Sequence, residues 1–387
     1  MLLKKYFFVI VMFSVLFSCT EEDIKEKVQV VDSWISEIDS VEEDGYNRYT
    51  LGIDDESNYL AVSQNRILRL DKNGEMLLNI NNAFESEEEI FLKQRIFNNT
   101  IYSFKTTYSV SLEDYNPDGK IELDIYNNSG DLIENLELDT GGNFLRDVEI
   151  EDENTFGMLF YNPTDSSLTL KRVKKNEGIV EEVLVHSSGS SGNLHISETG
   201  EYFCTLSASP IVNFYFFDNN LNLKWSKAFK GMLIHSAKSV QGKGIYIAGS
   251  QTPYESFINF IALISENGVE MTKYEYQSNN DDWLYEMWVQ DLQVSSDGSR
   301  VALLESVAEI TTNSRVLLFD EDLNLDSSLV VEGNIGLSNL VENENNSFSF
   351  MNSIKADDTD TSSFPITNPR FFKLNEDFVL PEIHYFQ

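Results

Sequence analysis

Basic residues are scarce in this chain. Its 387 residues include 28 Lys and Arg against 64 Asp and Glu, a formal charge of −36. That imbalance excludes nucleic acid and anionic lipid as binding partners, because phosphate contacts need Lys and Arg. It favours solubility, cation binding or basic partners. Histidine is scarcer still. His186, His195, His235 and His384 stand in no H-x-H or H-E-x-x-H spacing, so zinc is unsupported. No segment carries a long helical apolar stripe. No nucleophile elbow and no phosphate-cradling glycine loop occur. Only two cysteines are present, Cys19 and Cys204. Cys204 lies in the apolar run Tyr202-Phe203-Cys204-Thr205-Leu206 and reads as a buried, inert thiol.

What the chain does have begins at its N-terminus. Lys4 and Lys5 precede an apolar run over 6–17, broken only by Ser14. Twelve helical residues rise about 18 Å, too short for a bilayer core of roughly 30 Å. A charged start, a short apolar stretch and a small residue before the cut form a secretory signal. Leu16-Phe17-Ser18-Cys19 resembles the bacterial lipobox, with Phe17 bulkier than the usual small residue. The resemblance implies cleavage before Cys19, a thioether diacylglycerol on its sulfur and a third acyl chain on its amine. Several acyl chains hold a protein on a membrane far better than one. A plain transmembrane anchor and a cleaved soluble export signal are the other readings. With Cys19 lipidated, Cys204 has no disulfide partner. Lys4 and Lys5 leave with the signal, so the mature chain is two units more negative than −36. Thr20-Glu21-Glu22-Asp23 resembles the surface-export signal of Bacteroidota lipoproteins, which implies an outer-membrane protein facing outward. Residues 1–18 are thus read as signal peptide and 19–44 as a lipidated acidic tether with a possible extra strand near 28–35.

The remainder, 45–387, is read as one β-propeller domain. Hydrophobic residues make up 41% of the chain, with 26 Phe and 17 Tyr, ample for a packed core. Short aromatic and β-branched runs bounded by Asn, Asp and Gly read as strands. A hairpin with an acidic or Asn-rich turn recurs at 68–78, 127–131, 174–178, 218–222, 265–268, 320–324 and 374–377. The spacing is roughly 44 to 56 residues, near that of propeller repeats. Asn-Gly between apolar strands suits a tight turn, since Gly takes positive φ freely. Upstream of each hairpin lies a second strand pair, clearest over 291–303 and repeated from Asn193 and Asp147. Two pairs per unit predict an all-β fold of seven four-stranded blades, with six or eight as alternatives, at about 49 residues each. Blades are expected to start near Asn47, Glu89, Asn143, Asn193, His235, Gln290 and Asn334. Each unit supplies four strands, so no strand need be exchanged; the leftover near 28–35 can add to the last blade. The Ser-x-Asp-Gly unit resembles the strand pairs of WD-like and Tol-type propellers. The hairpin Phe217-Asp218-Asn-Asn-Leu-Asn-Leu-Lys-Trp225 resembles the quinoprotein-like repeat. Propellers host many unrelated activities.

With strands lettered A to D outward from the axis, the A–B and C–D turns share one face. The B–C and D–A connections share the other. The long connections are 105–120 and 354–369 (B–C) and 81–89 and 277–288 (D–A), so all belong to the second face, where binding is expected. They hold acids beside aromatics: Asp114, Tyr115 and Asp118; Asp281, Asp282, Trp283 and Tyr285; Asp357 and Asp358. Exposed Trp and Tyr suit a protein or glycan partner, while Trp288 is the better candidate for a core position. Asp114, Asn116 and Asp118 resemble the start of a D-x-N-x-D-G calcium loop. Position 12 is Ile125, however, where a bidentate acid is needed. Residues 320–326 alternate oxygens but read as a C–D turn. His195 and His235 fall near the starts of inner strands, where each is expected to be a satisfied structural residue. No catalytic residue can be singled out. The chain is therefore read as a monomeric, lipid-anchored binding or scaffold propeller with no cofactor beyond a weak calcium candidate. A calcium-dependent glycan-processing enzyme and a periplasmic outer-membrane assembly factor are the alternatives.

Overall fold

A computed structural model describes residues 34–38, 49–63, 66–81, 90–107, 120–139, 144–162, 164–186, 191–197, 199–208, 211–230, 232–251, 258–277, 287–307, 314–331, 339–343, 346–355 and 367–374. It forms seven antiparallel four-stranded sheets arranged as a seven-bladed β-propeller. In order from strand A to strand D, blade 1 holds Thr50–Ile53, Tyr59–Val62, Arg66–Leu70 and Met76–Asn81, and blade 2 Ile90–Phe97, Thr100–Thr107, Lys120–Asn127 and Leu132–Asp139. Blade 3 holds Phe144–Asp152, Thr155–Asn162, Ser167–Lys174 and Gly178–His186; blade 4 Ser191–Ile196, Tyr202–Ala208, Ile211–Phe217 and Leu223–Lys230. Blade 5 holds Met232–Val240, Gly244–Gln251, Ile258–Ile264 and Glu270–Gln277; blade 6 Met287–Val294, Arg300–Val307, Ser314–Asp320 and Leu325–Val331. Blade 7 takes its A to C strands from Val341–Glu342, Phe348–Lys355 and Thr367–Lys373.

The outer strand of blade 7 is Trp34–Glu37, paired antiparallel with Thr367–Lys373. The leftover strand read near 28–35 thus does join the last blade, at Trp34–Glu37; what it corrects is the reading in which every repeat keeps its own four strands, and the expected hairpin at 374–377 is not the turn into that outer strand. Joining the first strand to the last blade closes the ring by a full set of ladder hydrogen bonds, which a mere abutment of blades 7 and 1 would not supply. Residues 375–387, Pro381 among them, lie outside the described residues.

The C–D turns show why the repeat is visible in sequence. Asp71, Asn127, Asp218 and Asp320 each accept backbone N–H groups from two and four residues ahead through one side-chain oxygen, at 2.8–3.0 Å. This is the local Asx bond that makes Asp and Asn turn formers. The fourth turn position then takes positive φ. Gly130 sits there at 79°, but Leu221 and Leu323 sit there at 55° and 63°. Both leucines are buried, so apolar burial offsets the backbone strain. Residues 320–324 are thus a C–D turn that runs straight into the outer strand at Leu325, and the Asp320 carboxylate is consumed by it.

Packing is also repetitive. Seven apolar clusters each lie between two consecutive blades, the seventh joining blades 7 and 1. A blade sandwiched between two others must be apolar on both faces. The B strand Tyr202–Ala208 shows this: Tyr202, Cys204 and Leu206 pack towards blade 3, Phe203 towards blade 5. Cys204 is buried as expected, and burial pushes its thiol pKa up.

Candidate binding face and central channel

Because strands alternate direction, the ends of B and D strands and the starts of C and A strands share one side of each blade. The strand ends that lead into 82–89, 108–119, 278–286 and 356–366 therefore all lie on one face. The candidate residues Asp114, Tyr115, Asn116, Asp118, Asp281, Asp282, Trp283, Tyr285, Asp357 and Asp358 fall within these connections, outside the described residues, as does Cys19. Among the described residues, no group of three or more His, Cys, Asp or Glu could hold a metal ion. Among them, too, no helix is long and apolar enough to cross a membrane.

The described residues build a different feature, a polar belt around the axis. Each A strand is a sheet edge, so its inward N–H and C=O groups have no ladder partner. Registers against the B strands place one polar residue at the same level of each of the first six inner strands: Thr50, Lys93, Asp147, Asn193, Ser236 and Asp291. Asn339, just before Val341–Glu342, supplies the seventh. Each bonds to the next blade. Thr50 Oγ1 donates to the Gln94 carbonyl (3.3 Å), and Lys93 Nζ pairs with Asp147 (3.0 Å). The Leu194 N–H donates to Asp147 (2.9 Å), and Asn193 Nδ2 to the His235 carbonyl (3.3 Å). Ser236 Oγ donates to Asp291 (2.9 Å), the Leu340 N–H to Asp291 (2.8 Å) and the Leu51 N–H to Asn339 (2.7 Å). The circuit passes through every blade and returns to the first.

Asp147 is its most heavily bonded member. Arg95 Nη2 bridges Asp147 at 2.8 Å and Glu149 at 3.0 Å. Burial pushes the Asp147 carboxyl up, but Lys93, Arg95 and the Leu194 N–H outweigh it and hold the pKa at about 2. Glu149 moves the other way: burial raises it, Arg95 opposes and Asp147 adds to the rise. His195 follows two residues after the belt in blade 4. Burial lowers its pKa to about 4, with Asp147 pulling up and Lys238 down. His235 precedes the belt in blade 5 and is lowered to about 4 by burial. Among the described residues, Nε2 of both histidines is buried without a hydrogen-bond partner. This corrects the expectation that each is satisfied. Trp288, at the mouth of the channel and half-buried, sets its ring edge-on to His235 at 6.1 Å.

A second polar cluster sits between blades 5 and 6. Glu305 is fully buried. It accepts from Asn259 (2.5 Å), Tyr276 and Arg315 (2.6 Å). Asn259 in turn accepts from Ser250 (2.8 Å). Blade 2 repeats the theme with Asp124, which accepts from Lys105, Tyr126 and Asn135. These carboxylates are saturated, as buried charges must be. Sequence reasoning missed Glu305 because its partners are scattered over two blades. The belt was half visible: Asp147, Asn193 and Asp291 head the recurring polar-apolar units.

No known family matches the chain, and no curated protein matches it. Solved structures similar to it include a eukaryotic initiation factor at 8% identity, covering 87% of this chain and 92% of that one with a TM-score of 0.47. Another is an apocarotenoid oxygenase from Synechocystis at 12% identity, covering 73% and 71%, TM-score 0.47. A third is the Pan2 WD40 domain of Neurospora crassa at 10% identity, covering 84% and 89%, TM-score 0.47. Likeness at these values leaves function to the chain's own residues.

Proposed function

We propose that this protein is a lipid-anchored propeller displayed outward at the outer membrane, which binds a protein or glycan partner on its long-connection face. One observation carries the reading. Trp34 pairs with Lys373 and Glu37 with Arg370, so the strand that follows the tether enters the ring on the short-turn face. With Cys19 anchored, only residues 20–33 separate the lipid from that strand. The short-turn face is then drawn to the membrane and the long connections point away from it. Binding is favoured over catalysis because the buried carboxylates Asp54, Asp124, Asp147 and Glu305 are each held by a cation or amide. Each is occupied in holding strands or blades together.

Fractionation and protease shaving of intact cells test this. Wild-type protein should sit in the membrane fraction and be shaved, and Cys19→Ser should leave that fraction because its acyl chains are gone. Protection of wild type from protease would favour the periplasmic assembly reading. Replacing 108–119 and 278–286 with short Gly-Ser turns should abolish binding to any ligand found on a glycan array or a basic-protein panel. Binding that survives both replacements places the partner elsewhere.

A further inference from the structure

Three inner strands carry a β-bulge at the same level, just on the long-connection side of the belt: at 145/147 in blade 3, 234/236 in blade 5 and 289/291 in blade 6. The extra residues are Arg146, His235 and Gln290. A bulge leaves its extra residue out of the ladder and re-aims its side chain, and bulges concentrate beside binding sites. Blades 1, 2 and 4 carry no such register shift in their inner pairs.

Arg146 is the informative one. Its guanidinium carbon stands 4.9 Å from the Tyr161 ring centre and 5.9 Å from that of Phe144. The two rings lie at the ends of their strands on the long-connection side and steer the side chain towards that mouth. Its Nε is buried with no hydrogen-bond partner among the described residues. A buried guanidinium N–H without an acceptor is costly, and in a chain with 64 acids an acceptor would be easy to supply. The neighbouring carboxylates are already engaged, Asp147 by Lys93 and Arg95 and Glu149 by Arg95. Near Asp147 and His195 the inner strands bring the cations Arg95 and Lys238 together with the acids Glu149 and Asp291.

We propose that the long-connection end of the central channel binds a small carboxylate-bearing ligand, an acidic sugar or an organic acid, on Arg146 with His235 as the second contact. The planar guanidinium matches a carboxylate in a way a lysine does not. His235 Nε2 is likewise buried and unpartnered among the described residues, and its ring is fixed against Trp288. As a neutral imidazole it can exchange a hydrogen bond with a ligand hydroxyl. Trp288, Phe144 and Tyr161 offer ring faces or edges to the C–H surface of a sugar. The proposal deepens the reading of the long-connection face as the binding face.

Calorimetry on the mature protein in detergent tests it. The probes are glucuronate, galacturonate, succinate, glucose and the neutral methyl ester of glucuronic acid. A uronate should bind saturably, with glucose and the methyl ester weaker by about tenfold or more, the share of a charge-assisted bidentate contact. Equal or tighter binding of succinate would assign the site to organic acids. Arg146→Gln should weaken uronate binding about tenfold, and Arg146→Lys, which keeps the charge and loses the fork, should recover part of it. Melts of each variant report whether the fold survives. No saturable binding of any acid probe up to about 10 mM, a level of only a few kcal/mol, would overturn the proposal. So would unchanged affinity in a folded Arg146→Gln. Shortening 108–119 and 278–286 separates the two readings: it should abolish macromolecular binding and leave the channel ligand bound.

Discussion

Asp147 tests whether the belt holds the ring together. Its side chain is 6% exposed, at 2.8 Å from Arg95 and 3.0 Å from Lys93, and it accepts the Leu194 N–H of the next blade at 2.9 Å. Asp147→Asn keeps an oxygen for that N–H and removes the charge from both ion pairs. Arg95 retains Glu149 and Lys93 can turn to water, so the loss should fall below the 3–5 kcal/mol typical of a wholly orphaned buried charge. The pKa gives a second measure: it falls from 3.8 to about 2. That difference corresponds to about 2 kcal/mol. A carboxyl with a depressed folded pKa contributes this stability fully above its unfolded pKa and loses it as pH falls through the folded one. The contribution should therefore be intact at pH 7 and disappear between about pH 4 and pH 2. Urea unfolding of wild type and Asp147→Asn across that range measures it. The two curves should differ by about 2 kcal/mol at neutral pH and converge near pH 2. A gap that stays constant with pH, or one below about 0.5 kcal/mol at pH 7, would refute the assignment of a buried, charge-paired role.

His195 and His235 predict an acid sensitivity in a higher window. Both are lowered from 6.5 to about 4, so the unfolded chain takes up protons first and stability falls as pH drops from 6.5 towards 4. NMR titration should show both rings neutral down to about pH 4, and the double variant His195→Gln, His235→Gln should flatten that part of the profile. Gly249→Ala should cost about 2–4 kcal/mol in chemical unfolding, as overpacking does. A Cβ there would lie 1.8 Å from the Leu233 carbonyl oxygen, so backbone must move. Ile35→Pro, which puts a residue without an N–H into the strand pairing with Phe372, should lower the melting temperature and promote aggregation through the exposed edge of Thr367–Lys373. An unchanged melt would deny the closure its role. Finally, Glu113, Asp114, Asp118, Asp357, Asp358 and Asp360 are acids of the long connections. If they bind calcium, melts should rise with calcium beyond matched sodium ionic strength; no extra rise removes that reading.

The seven blades were legible because their evidence is local. A C–D turn such as Asn127 to Asp131 needs only an Asx bond to nearby N–H groups and a residue tolerant of positive φ. Both requirements are written within five residues. The turn around Leu323 shows the limit, since no short-range rule puts a leucine at positive φ. It is held there by apolar contacts from blades 5 and 6.

Sequence alone therefore determined the fold class, seven as the number of blades, the starts of the first six to within a few residues, though not that of blade 7, which begins at Val341 rather than near Asn334, and the face that carries the long connections. All of these follow from hydrophobic period, turn chemistry and strand alternation along a continuous stretch of chain. Only the tertiary structure decided that Trp34–Glu37, rather than a segment after Leu374, completes blade 7. It alone revealed that Asn339 reaches Leu51 across 288 residues, and that three bulges bring Arg146, His235 and Gln290 to one level of the channel. The reason is that a closed ring gives every inner edge strand a neighbour from another repeat. Which polar side chain meets which unpaired N–H, and which is left without a partner, depends on register between blades, and that register exists only once the ring has closed.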